Sequence, residues 1–202
     1  MVYNICEILK TCIEDESLSY VETIAGLVQV ETVQKKASKT DLIQKKFPIY
    51  CPIKQECDPN KIDPLIPDCN RKSLFYFENN GNTILNDRDK RFFNYTSSIR
   101  LVGWLNPRKM GSNDCDISCL ISAEIMNILE KSTFNSGEIL KIKIRPSALL
   151  VKDSKIFSKY LYGKKFYNLI EYPYDYFAID LFVDFSINKD CISKFTPTDE
   201  LC

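Results

Sequence analysis

The stretch YDYFAIDLFVDFSI, residues 174–187, separates into two faces with a period of two. Phe177, Ile179, Leu181, Val183 and Phe185 fall on one face; Ala178, Asp180, Phe182, Asp184 and Ser186 fall on the other. Such alternation requires a strand with one face in a core and one mixed face. Working backwards, Ile139–Ile144 alternates as ILKIKI, Pro146 interrupts it, and Ala148–Val151 resumes as a second extended piece. A short helix is expected from about Asp153 to Tyr162. Upstream, Ile117, Leu120, Ile121, Ile125, Ile128 and Leu129 recur with helical spacing, predicting a helix over Asp116–Lys131 capped by Ser112, Asn113 or Asp114. Arg91–Leu105 is aromatic and β-branched, which reads as a long strand or two strands joined at Ser97-Ser98.

Before it, SLFYFE (73–78) and TILN (83–86) flank Asn79-Asn80-Gly81-Asn82, and an Asn-Gly pair predicts a tight hairpin between them. The N-terminal part is less regular. Ile5, Ile8, Leu9, Cys12 and Ile13 outline an amphipathic helix, and Tyr20–Gln34 reads as an extended segment bent or bulged at Gly26. Residues 35–46 carry five lysines and one aspartate, as a solvated loop or exposed arm would. Residues 47–72 hold five of the nine prolines and three cysteines, so they predict a long ordered loop.

These elements make an α+β protein: a mixed, mainly antiparallel sheet with two helices on one face, an extended N-terminal arm and a long Pro/Cys-rich loop. At 202 residues one domain is expected. It divides into a helix and arm (1–46), the Pro/Cys loop (47–72), an α+β core (73–190) and a tail (191–202). Neither a basic, apolar opening nor an eighteen-residue apolar run occurs, so the chain reads as soluble and intracellular, without a membrane partner.

The count that narrows function most is zero histidines. Imidazole-based triads and His-ligated zinc hydrolase sites are excluded, and no GxGxxG, Walker or GxSxG motif is present. Nine cysteines in a chain read as intracellular are expected to be reduced and metal-free. Cys51, Cys57 and Cys69 lack the paired CxxC of a zinc ribbon, although a zinc-stabilised adaptor is one alternative. Asn94-Tyr95-Thr96 is a formal glycosylation sequon without a secretory route to use it.

The remaining catalytic option is a metal-dependent nuclease or phosphodiesterase built on Asp180 and Asp184. These share a face but stand about 13 Å apart along the strand, too far to hold one ion between them. No cofactor, metal ligand or catalytic residue is therefore assigned.

Charge sums to zero, with 27 basic and 27 acidic residues, yet it is segregated. Residues 1–34 hold one basic and six acidic side chains, 35–46 five and one, 141–171 eight and two, and 172–202 two and six. Blocks of this kind suit assembly, an acidic face on one subunit meeting a basic face on the next in a closing head-to-tail ring. The candidate interface lysines are Lys35, Lys36, Lys39, Lys45 and Lys46 in the arm, with Lys152, Lys155, Lys159, Lys164 and Lys165 in the later basic block. A lysine-lined lumen would also make non-specific contact with DNA phosphates. Tyr160, Tyr162, Phe166, Tyr167, Tyr172, Tyr174 and Tyr176, crowded around Lys159, Lys164 and Lys165, are read as interface aromatics.

The low-glycine, Lys/Asn/Ile/Tyr-rich composition, the element order and stretches such as SIRLVGWLNPRKMG and YPYDYFAIDLFVDF resemble small virion proteins of tailed, crAss-like bacteriophages. The resemblance implies a non-catalytic structural protein: a multi-copy neck ring, head-tail connector or tail terminator around the DNA channel. Its location would be the virion, assembled in the host cytoplasm. Its partners would be copies of itself and portal, neck or tail proteins.

Overall fold

The computed structural model describes residues 1–36, 42–51, 64–88, 91–112, 116–132, 139–162 and 164–189. Elements run in the order α1 (Val2–Asp15), β1 (Ile24–Leu27), β2 (Gln29–Lys36), β3 (Leu42–Ile49), β4 (Ser73–Asn79), β5 (Ile84–Arg88), β6 (Phe92–Leu105), α2 (Pro107–Met110), α3 (Ile117–Lys131), β7 (Ile139–Val151) and β8 (Asp175–Asn188). The fold is α+β. Six strands form one sheet in the order β1-β4-β6-β8-β7, with β5 also on β6; β1 runs parallel to β4 and every other pairing is antiparallel.

The alternation along β8 places Phe177, Ile179, Leu181, Val183 and Phe185 in a core shared with Phe75, Phe77, Ile99 and Leu101. Two helices cover that face. They are α3, through Ile117, Ile121, Ile125 and Leu129, and α1, through Ile5, Leu9 and Ile13. The N-terminal helix thus belongs to the core rather than to the arm. Gly103 on β6 is required where the sheet meets this core, because a Cβ there would lie 2.7 Å from the Phe177 ring and 2.9 Å from that of Phe75. Asp175 starts β8 and accepts a hydrogen bond from the Ser118 amide at 3.1 Å, answering one of the unpaired donors at the start of α3.

The second face differs from expectation. Residues 153–162 do not form the expected α-helix; 3-10 turns occur at Ser154–Phe157 and Lys164–Leu169. Their aromatic side chains explain this, since Phe157, Tyr160 and Phe166 all turn onto the sheet against Tyr76, Trp104 and Tyr176. Trp104 stacks on Tyr174 with ring centroids 5.2 Å apart and donates its indole N–H to the Leu169 carbonyl at 2.6 Å. The crowded aromatics are therefore mainly a second core; Tyr167 and Tyr172 remain exposed.

The Asn-Gly hairpin does not form. β4 pairs with Ile99–Leu105 of β6 and β5 with Phe93–Thr96, so the two lie end to end along one edge of β6. Gly81 does not adopt positive φ; Asn80 instead donates its amide to the Ser98 carbonyl at 3.0 Å, tying the junction to the same strand. Other expectations fit. β6 is a single 14-residue strand, β7 carries a register shift between Pro146 and Ala148, and β1 one between Ala25 and Leu27, across Gly26.

The lysine-rich segment is not a loop where described. β2 and β3 form an antiparallel ribbon from Gln29↔Ile49 to Lys36↔Leu42, a two-stranded sheet of its own. It is anchored at its root by backbone hydrogen bonds between Lys46 and Leu161. Most of the proline-rich loop, residues 52–63, lies outside the described residues, and Pro64–Asn70 carries the chain back to the sheet.

Candidate functional site: the open half of the sheet and its ribbon

Because the aromatic segment covers only part of the second face, the remainder of β6, β8 and β7 is open. The register sets its rows: Glu78, Arg100, Asp180 and Ala148 lie across four strands, and Thr96, Asp184 and Lys143 across three. Asp180 and Asp184 thus share one face, as the sequence requires. Each is closed by an arginine. Arg100 donates Nε and an Nη to the two Asp180 oxygens at 2.6 and 3.0 Å, and Asn80 adds a bond at 3.0 Å. Arg145 makes the same forked contact with Asp184 at 2.8 and 2.9 Å, and the Thr96 hydroxyl donates to it at 2.5 Å.

Those bonds, Arg145's first, hold the Asp184 carboxyl below its usual range, while both guanidiniums are held more firmly protonated by their aspartates. Each carboxylate already accepts three hydrogen bonds, and among the described residues no three acidic or cysteine side chains are grouped to hold a metal.

Where the open half meets the aromatic cover, Glu78 is buried. Tyr160 donates its hydroxyl to this carboxylate, and the Lys159 ammonium pairs with it at 2.5 Å. Burial, followed by the Glu78 charge, pushes the Tyr160 hydroxyl far above its usual range. Lys159 is thus a counter-ion within the subunit, and Lys152 lies 3.8 Å from Asp175. Lys155 stays exposed on its turn. Lys164 and Lys165 begin the second 3-10 turn, and Lys35 and Lys36 end β2; their side chains and all of Lys39 lie outside the described residues. Lys45 and Lys46 stand half-buried on β3.

The described candidate lysines therefore fall into two groups, one on the ribbon and one on or beside the aromatic cover. Where they are described, the two C-terminal charge blocks lie side by side rather than on opposite flanks. The block 141–171 contains β7 and 172–202 contains β8; these strands are antiparallel neighbours, so Arg145–Asp184 and Lys152–Asp175 neutralise each other in cis. Neither Glu78 nor Arg100 was singled out by sequence, because their partners Tyr160 and Asp180 lie 82 and 80 positions away.

The thiols bring a further correction. Cys6, Cys12, Cys69 and Cys119 are free, but Cys51 is disulfide-bonded, to a partner outside the described residues. Zinc-ligand spacing could not anticipate this, because a disulfide needs only two thiols that the fold brings within reach. No family model matches the chain, and neither a curated protein nor a solved structure does.

Proposed function

We propose that this chain is a non-catalytic assembly protein that forms a multi-copy ring in the neck of a phage virion, gripping its neighbours through the β2–β3 ribbon. The observation that carries the reading is the ribbon itself. It pairs with no strand of the main sheet, and Gln29, Val30, Glu31 and Thr32 are exposed on both of its faces. A lone two-stranded ribbon has no core of its own and is marginal in water, so its stability rises when a partner covers it. Its lysines supply charge to such a contact, whereas Arg145, Lys152 and Lys159 of the later basic block are paired within the chain.

The arginine-closed aspartates favour this over a metal-dependent nuclease. The composition and element order that resemble tailed-phage virion proteins supply the setting, with portal, neck or tail proteins as further partners. Among the described residues no helix is long and apolar enough to cross a membrane.

The test is to replace Val33–Lys45 by Asn-Gly, which joins the paired residues Thr32 and Lys46 through a two-residue turn and spares the Lys46–Leu161 anchor. The expected result is native circular dichroism and, by mass photometry, a monomer where the wild type is expected to give an oligomer. A wild type that stays monomeric at high concentration, or a shortened variant that assembles unchanged, refutes the reading.

A further inference from the structure

Lys46 and Leu161 exchange two backbone hydrogen bonds, at 3.2 and 2.8 Å, and these are the outermost backbone anchor of the ribbon among the described residues. Leu161 belongs to the aromatic cover, so whatever holds residues 158–161 on the sheet also holds the ribbon root. Within that stretch Ser158, Lys159 and Leu161 are exposed and Tyr160 alone is buried. The Tyr160 ring meets Tyr76 edge-on with centroids 6.4 Å apart, and its hydroxyl donates to the Glu78 carboxylate of β4. Lys159 reaches back to the same carboxylate at 2.5 Å, its Nζ also lying 5.4 Å from the centre of the Tyr160 ring. Two consecutive residues of the cover therefore converge on one buried charge.

That charge has no comparable second cation. Arg100 stands opposite Glu78 in register but gives two hydrogen bonds to Asp180. The Tyr76 and Tyr162 hydroxyls nearby are neutral, because burial raises both well above their usual range. The Glu78 side chain is 2% exposed and that of Lys159 is 40% exposed, so the way from the carboxylate to water runs under Lys159. A buried carboxylate deprived of its partner is strongly unfavourable unless water reaches it. Here water reaches it when residues 159–161 rise from the sheet, and the bonds to Lys46 rise with them.

We infer that Glu78 is a latch for the ribbon: paired with Lys159 it fixes the ribbon root to the sheet, and unpaired it lets the root open. The latch concerns the root itself; that it would also set how firmly the ribbon is presented to a neighbouring copy rests on the assembly role proposed above.

The test is hydrogen–deuterium exchange by mass spectrometry on the full-length protein, diluted until mass photometry shows a monomer for every variant. Peptides covering residues 44–49 and 158–162 report the root, and one covering 99–105 of β6 reports the main sheet. Lys159→Met should speed exchange at the root by about tenfold and leave the β6 peptide unchanged. Adding Glu78→Gln removes the buried charge while keeping an acceptor for Tyr160, and should return the root to within about threefold of the wild type. Tyr160→Phe keeps the ring packed and should speed the root by about fivefold. Root exchange unchanged in Lys159→Met, equal acceleration in the β6 peptide, or no recovery in the double variant overturns the latch. The readout is the opening of the root in the monomer, so it stands or falls separately from whether the chain forms a ring.

Discussion

Replacing Asp180 by asparagine separates the structural reading of the open face from the catalytic one. The substitution preserves shape and removes one charge from a pair whose side chains are 20% (Arg100) and 15% (Asp180) exposed. Of the three hydrogen bonds that Asp180 receives, those from Arg100 at 2.6 and 3.0 Å are charge-assisted. An amide can still accept one of them through its oxygen, but its NH₂ then faces the other guanidinium N–H. Removing the charge from such a contact costs about 1.5–3 kcal/mol, and partial exposure places this site near the lower half of that range, about 2 kcal/mol.

For a chain of this length, that corresponds to a melting temperature lower by about 4–8 °C. Urea denaturation and a thermal scan monitored by circular dichroism measure it. A cycle with Arg100→Met, in which Asp180→Leu restores neutrality, should recover most of the loss, because the main penalty is an uncompensated guanidinium. No nuclease activity should be lost, since none is expected of the wild type. The reasoning is refuted if Asp180→Asn is as stable as the wild type within about 0.5 kcal/mol, a margin typical of surface changes. It is equally refuted if the wild type cleaves DNA with magnesium and the variant does not.

Two further outcomes are expected. Gly103→Ala drives a methyl group into the Phe75 and Phe177 rings and should destabilise by about 2 kcal/mol, as overpacking of a rigid core does; an unchanged melting temperature would show that the rings yield freely. Asp184 is held by Arg145 below its ordinary 3.8. Its contribution is therefore complete above that value and fades as the pH falls through the lower folded-state one. The stability gap between wild type and Asp184→Asn should be constant from about pH 8 to 5 and shrink below about pH 4, and a gap unchanged at the lowest pH would contradict the ion pair.

The parts of this fold legible in the sequence are those where one residue pattern answers to one surface. α3 presents a single apolar face to one core, and β8 keeps one face wholly apolar against that core while only Tyr176 and Ala178 of its other face meet the second, so a helical spacing and a period of two locate them almost to the residue. The Asn-Gly turn failed for a different reason. Asn79–Asn82 has the chemistry for a reversal, but β6 is long enough, 14 residues, to accept both β4 and β5 along one edge, and that pairing wins over local turn preference. Residues 153–162 depart from the expected helix because the rings of Phe157, Tyr160 and Tyr162 are drawn onto the sheet beside Trp104 and Tyr176, a packing partner that local sequence does not contain. At the candidate site the sequence located the two aspartates on one face and could not reveal their arginines. Arg100 is 80 positions from Asp180 and Arg145 is 39 from Asp184, separations at which only strand register brings side chains together.

The same register bears on how subunits would meet. If the basic and acidic blocks were free, complementary charge would direct assembly over long range and salt would weaken it strongly. With β7 and β8 as neighbours, Arg145 and Asp184 on the open face instead close on each other, as do Arg100 and Asp180, and closed pairs offer a partner little unspent charge. The ribbon, by contrast, presents backbone and side-chain surface, with Val30 48% exposed. Docking there would bury apolar and main-chain groups as well as lysines, so its salt dependence would be shallower than charge segregation alone suggests. Mass photometry across a salt series therefore discriminates between the two modes: steep dissociation with salt points to charge blocks, and a weak slope abolished by shortening the ribbon points to the ribbon.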